Sequence, residues 1–203
     1  MIAGSLAGGV GLLVNKPIQA SNEIVDLKEF MKSPQRIMGF YKRVFNIDIA
    51  HITALSIRNL WRDRNRPLIV GTSYNNDGLL LALYSLLISE VVPDHKLVIC
   101  SSNFRRTKAI FDDMVQMYDN SNVVDKSGIF KSTDMCGYKK DSTSVLFMPL
   151  GSGERIRGMR ADQVLGDGFS NLSMDEFNTV VAGFAAVRSN PISRIKNRIK
   201  RNA

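Results

Sequence analysis

The spacing of hydrophobic positions changes several times along the chain, and each change marks an element. Over residues 22–45 the apolar positions Ile24, Val25, Leu27, Phe30, Met31, Ile37, Phe40, Tyr41 and Val44 recur at helical spacing. Ser33-Pro34 interrupts the run, and Pro34 suits the first turn of a second helix, where a backbone N–H is not required. A further helix is expected over 47–61, with Ile49, Ile52 and Leu60 on one face and Leu55 and Ile57 at its flanks. It runs into the basic turn WRDRNRP, which Pro67 closes.

From Leu68 the punctuation is different. LIVGTS (68–73) reads as a short buried strand, and 78–92 as a helix that is apolar nearly all round and therefore enclosed. Pro93-Asp94 is a turn, KLVICSS (96–102) a second buried strand, and 104–118 a helix with Ile110, Phe111, Met114, Val115 and Tyr118 facing inward. Residues 119–141 are polar and irregular, with room for short strands. SVLFMPLG (144–151) and ADQVLGDG (161–168) are further strands, and 174–187 a last helix before a basic tail. Strands alternating with helices predict an α/β fold: a mostly parallel sheet covered on both faces, with an N-terminal helical segment. Ligands of such sheets bind beyond the carboxyl ends of the strands, which singles out the turns at 71–78 and 166–168.

The 203 residues suffice for one domain with a sizeable core, and 44% hydrophobic with 23% charged residues is ordinary for a globular protein. The net charge of +8 changes the picture more, because it favours a polyanionic partner, nucleic acid before membrane. The basic residues gather in two patches: Arg62, Arg64 and Arg66 in the turn after Trp61, and Arg194, Lys196, Arg198, Lys200 and Arg201 in the tail. Each phosphate they neutralise would give salt-dependent, sequence-independent binding. Trp61 itself reads as a core anchor. The two cysteines and two histidines have no metal-ligand spacing, and Cys100, which ends an apolar run, reads as a buried thiol. Residues 1–21 form an apolar, Gly-rich extension without a basic residue ahead of the apolar run, expected to pack on the domain or a partner rather than to act as a targeting segment; it is too short to span a bilayer. Residues 22–191 form the domain and 192–203 the tail.

The turn GTSYNNDG has the outline of a phosphate-binding loop, in which backbone N–H groups and a helix N-terminus face the anion, a lysine neutralises it and a hydroxyl residue holds Mg²⁺. Asp77 places a negative charge where the lysine belongs, Gly78 removes the hydroxyl, and Asn76 replaces a glycine. By motif alone this is a plain turn whose Asn75, Asn76 or Asp77 caps the following helix.

The stretch from Met148 to Pro191 adds something more specific. Leu150, Gly151, Gly153, Ile156, Arg157, Gly158, Arg160, Ala161, Asp167, Phe169, the run from Gly183 to Val187, and Pro191 form a pattern that resembles the large terminase subunit, the ATPase that packages DNA into the heads of tailed bacteriophages. In that frame Gln35 resembles the family's adenine-reading glutamine, residues 73–78 its Walker A loop, and KLVICSSNFRRTKAIFDDM the strand and helix that follow. The resemblance runs from about Met31 to Pro191 and implies a three-layer P-loop NTPase fold that uses ATP and Mg²⁺. It also implies double-stranded DNA, portal, small terminase and a companion terminase fragment as partners, with a homo-oligomer possible in principle, no membrane, and the cytoplasm of the infected host cell as location.

The departures fall on catalytic positions. Ser73, Tyr74, Asn75, Asn76, Asp77 and Gly78 make a degenerate cofactor loop; Asp167 matches the Walker B aspartate, but Gly168 replaces the water-activating glutamate. Asp175-Glu176 lies too far on to restore the pair, and Arg157 is the candidate arginine finger, between Arg155 and Arg160. A general base is worth roughly 10²–10⁴ in rate and a cation on the transferred phosphate on the order of 10³–10⁵. Loss of both predicts weak or absent ATP binding and no useful hydrolysis: a non-hydrolysing or split packaging subunit, or alternatively a non-catalytic structural or DNA-binding module that reuses the fold. Four altered positions favour natural degeneration over deliberate inactivation, which usually changes one. The family's last strands and nuclease domain would lie beyond Ala203, or on a companion chain.

Overall fold

A computed structural model of the chain describes residues 27–70, 77–121, 125–149 and 160–168. The N-terminal helices are α1 (Leu27–Lys32), α2 (Pro34–Phe45) and α3 (His51–Arg62). Ser33 caps α2, its hydroxyl accepting from the Arg36 N–H, and Pro34 takes the first helical position as expected. Asn46 ends α2 in the left-handed conformation that asparagine tolerates (φ 55°). Residues 46–50 are then non-helical, so α3 begins four residues later than its apolar pattern suggests. Its buried stripe is also different: Ala54, Ile57, Leu60 and Trp61 face the core, while Ile52 is 69% exposed and Ile49 is buried from outside the helix. The small Ala54 lets α3 approach its neighbours closely, and that choice of face turns Ile52 outward.

The sheet has six strands: β1 (Leu68–Val70), β2 (Lys96–Ser101), β3 (Ile129–Lys131), β4 (Cys136–Lys140), β5 (Thr143–Pro149) and β6 (Gln163–Asp167). Their order is β1-β6-β2-β5-β4-β3. The pairs β1/β6, β6/β2 and β2/β5 are parallel, and β5/β4 and β4/β3 antiparallel, so the fold is α/β with a mixed, mostly parallel sheet. The irregular stretch after residue 119 contributes the antiparallel strands β3 and β4.

Two helices connect the parallel strands, α4 (Asp77–Val91) and α5 (Phe104–Asp119). Every residue of α4 from Leu81 to Ser89 is buried. The two serines in that stretch bond within the helix, Ser85 to the Leu81 carbonyl (2.7 Å) and Ser89 to that of Leu86 (2.9 Å), so enclosure leaves their hydroxyls paired. Alternation along the strands splits the core. Leu97, Ile99, Val145, Phe147 and Leu165 join the residues of all five described helices in one cluster, while Val98, Cys100, Met148 and Val164 form a second on the opposite face. Among the described residues no helix contributes to that second cluster. The described fold is therefore two layers, and the helix expected over 174–187 lies outside the described residues.

A buried amide fixes the helices to the sheet. Gln163, at the start of β6, accepts a hydrogen bond from the Tyr84 hydroxyl (2.7 Å) and donates to the Leu60 carbonyl (3.2 Å), tying α4, β6 and α3 together. Tyr41 of α2 donates to the Leu83 carbonyl of α4 (2.5 Å). Tyr84→Phe leaves the Gln163 oxygen buried without that donor, and the expected loss is about 1–3 kcal/mol. It is read as a lower urea midpoint at unchanged slope.

Both cysteines are buried and neither forms a disulfide. Burial raises the Cys100 thiol pKa, and burial with the nearby Asp112 charge pushes that of Cys136 up to about 12. An aromatic disulfide reagent should therefore label neither described thiol quickly in the native state, and both once urea unfolds the chain.

Candidate functional site at the carboxyl edge of the sheet

Register brings the two turns singled out by the sequence to one edge. Val70 lies opposite Asp167, Asp167 opposite Ser101, and Ser101 opposite Pro149, so four parallel strands end in a row. The chain leaves β1 toward α4, whose first residue is Asp77, and leaves β2 toward α5, capped by Asn103. Asp77 in the first turn of α4 is well placed against the helix dipole. Gly78 packs against α5: a Cβ there would stand 3.3 Å from Ile110 Cγ1, so a hydroxyl residue at 78 requires Ile110 to yield slightly.

Asp167 is buried, and its partner is one that the sequence did not mark. Arg106, in the first turn of α5, donates through Nε to Oδ2 (2.5 Å) and through a terminal nitrogen to Oδ1 (3.1 Å). This two-bond fork is the strong form of an arginine–carboxylate pair. The Arg106 backbone N–H is bonded to the capping Asn103 side chain (3.0 Å), so main chain and side chain are both held. The hydrogen bond to Asp167, together with the charges of Asp167 and Asp77, raises the guanidinium pKa above its ordinary value. A cation in the first turn of a helix opposes the dipole by roughly 0.3–1 kcal/mol. The buried carboxylate outweighs that term, because a charge left unpaired in the interior costs several kcal/mol.

Gly168 completes the arrangement. It has a left-handed backbone (φ 70°), and a Cβ there would lie 2.4 Å from Arg106 Cζ and 2.6 Å from Nε. No side chain fits at 168 while Arg106 stands where it does. These residues do not fit a magnesium–nucleotide complex: the guanidinium engages both oxygens of Asp167, so a metal there would meet a cation at close range, and Asp77 adds a negative charge at the start of α4. Among the described residues no group of three His, Cys, Asp or Glu side chains is placed to hold a metal ion.

The other sequence candidates are dispersed. Gln35 is exposed on the first turn of α2, its amide oxygen accepting from Ser33 (3.3 Å). A cavity of about 350 Å³ beside Asp77, lined by Ile49, Leu80, Leu83 and Met117, lies near the other end of α2. A helix of that length spans about 18 Å, so Gln35 does not reach it. The arginine turn precedes β1 and is thus at the amino edge, opposite Asp167. There Arg62 and Arg66 both lean on Asp63 (3.4 and 3.5 Å), and Arg64 lies over the Trp61 ring at 4.1 Å. Trp61 is buried, as a core anchor should be, with the His95 ring 5.8 Å away. Arg160 is exposed. Ser73, Tyr74, Asn75, Asn76, Arg157, Arg194, Lys196, Arg198, Lys200 and Arg201 lie outside the described residues.

No protein-family model, curated protein or solved structure matches this chain. Its chemistry therefore rests on the strand ends themselves. Among the described residues no helix is long and apolar enough to cross a membrane.

Gly168→Ala tests the packing of this edge. The strained backbone and the displaced Arg106 together should lower stability by about 2 kcal/mol, measured by denaturant unfolding.

Proposed function

We propose that this chain is a terminase-like domain of tailed-phage DNA packaging that keeps a P-loop-type α/β framework and has lost the hydrolytic chemistry. The observation that carries the reading is the meeting of β1, β6 and β2 at one edge, with Val70, the last residue of β1, directly beside the acid Asp167. Ligands of open α/β sheets bind at such an edge. The ordered pattern from Leu150 to Pro191 supplies the family, and the residues at 77, 78, 106 and 168 supply the loss.

In this reading the chain serves as a non-hydrolysing or split subunit beside DNA, portal or a companion fragment in the host cytoplasm. ATP and Mg²⁺ belong to the family; here Asp77 would repel the phosphates. A second reading, a DNA-binding module without nucleotide, is favoured by the arginine turn at the amino edge, away from the strand ends.

Calorimetry with Mg²⁺–ATP tests the first reading. The wild type should give no binding heat, and a variant carrying Asp77→Lys, Gly78→Ser, Gly168→Glu and Arg106→Ala should give one. Tight binding by the wild type would sink the claim that the site is lost. For the second reading, Arg62→Ala, Arg64→Ala and Arg66→Ala together should weaken duplex binding. They should also flatten its salt slope by about 0.9 for each phosphate contact removed.

A further inference from the structure

The carboxyl end of β6 contains a cation of its own. We infer that Arg106 is the resident counter-ion of Asp167 and closes that acid to divalent cations, and that the guanidinium fills the space a side chain at position 168 would need. The inference rests on strand-end geometry and not on the packaging assignment.

Three observations converge. The Asp167 side chain is 2% exposed while that of Arg106 is 42% exposed, so the pair meets solvent through the arginine. Both carboxylate oxygens are engaged at hydrogen-bond distance by one planar group. The Cβ position of Gly168 falls 2.4–2.7 Å from three guanidinium atoms, inside any allowed contact. Arg106 and Gly168 thus depend on one another: the cation occupies the space that a side chain at 168 would take. A metal ion at a strand end exchanges with solution and leaves with a chelator, whereas this cation is covalently part of α5. Asp167 is therefore neutralised by a group that cannot leave, and is closed to Mg²⁺ whether or not a nucleotide binds nearby.

Mn²⁺ binding to the full chain, read from the loss of the free-ion electron paramagnetic resonance signal without nucleotide, tests this. The variants are Arg106→Gln, Arg106→Lys and Arg106→Gln combined with Asp167→Asn, with folding checked by near-ultraviolet circular dichroism. Arg106→Gln should bind Mn²⁺ at least tenfold tighter than the wild type, and Asp167→Asn should abolish the gain. Arg106→Lys, which keeps the charge, should bind no tighter than the wild type. Equal binding by the wild type and a folded Arg106→Gln overturns the inference. Should Arg106→Gln not fold, the lysine variant decides. Lysine vacates the space before position 168, so adding Gly168→Ala should shift the denaturant midpoint less there than in the wild type. An equal shift in both backgrounds overturns the inference. Since no arm contains ATP, failure here is separable from failure of the packaging reading.

Discussion

The structure depends on enclosing α4. A helix with nine consecutive buried residues has no face to give to water, so it requires neighbours on every side. The sheet supplies one wall, α5 a second, and the N-terminal helices a third, reached through the Tyr41–Leu83 hydrogen bond and through Gln163, which bridges Tyr84 to the Leu60 carbonyl. This explains why a helical segment precedes an α/β unit at all: without α2 and α3 the outer side of α4 would be an exposed apolar strip. It also explains the polar network at the far end of α4. Glu90 there accepts from Tyr118 (2.9 Å) and Lys140 (2.8 Å), closing the seam between α4, α5 and β4 with paired rather than stranded charge.

Local signals were legible where a residue acts on its own backbone. Ser33-Pro34 marks the start of α2, and the apolar runs mark β2, β5 and β6 within a residue or two, because caps, proline geometry and period are properties of neighbours in sequence. The face chosen by α3 was not legible: its apolar positions cover too wide an arc, and only packing chooses Ala54 and Ile57 over Ile52. Strand order was not legible either. The last described strand inserts between the first two, and nothing local records that pairing.

The site divides the same way. Asp167 stood out through its motif, and Gly168 through what it lacked. Arg106 was missed because a basic pair on an amphipathic helix reads as a solvated face. Its partner lies 61 residues away, and only the adjacency of β2 and β6 brings them together. The site is therefore a product of topology more than of motif: the parallel β1-β6-β2 arrangement aligns three chain exits, and whichever side chains stand there inherit one another's fields. Residues at such an edge are coupled, so changing one side chain at a time meets steric or electrostatic resistance from the others.

The position of Trp61 has an optical consequence. It is the chain's one tryptophan, packed where α3 meets the sheet, with the Arg64 guanidinium over its ring and the His95 imidazole beside it. Its indole emission therefore reports a single seam. If the N-terminal helices detached from the sheet before the strands came apart, the emission would red-shift while the far-ultraviolet signal of the strands persisted. Coincident changes would mean that the N-terminal helices and the sheet form one cooperative unit. The molecule thus carries an intrinsic gauge of how its two parts are joined.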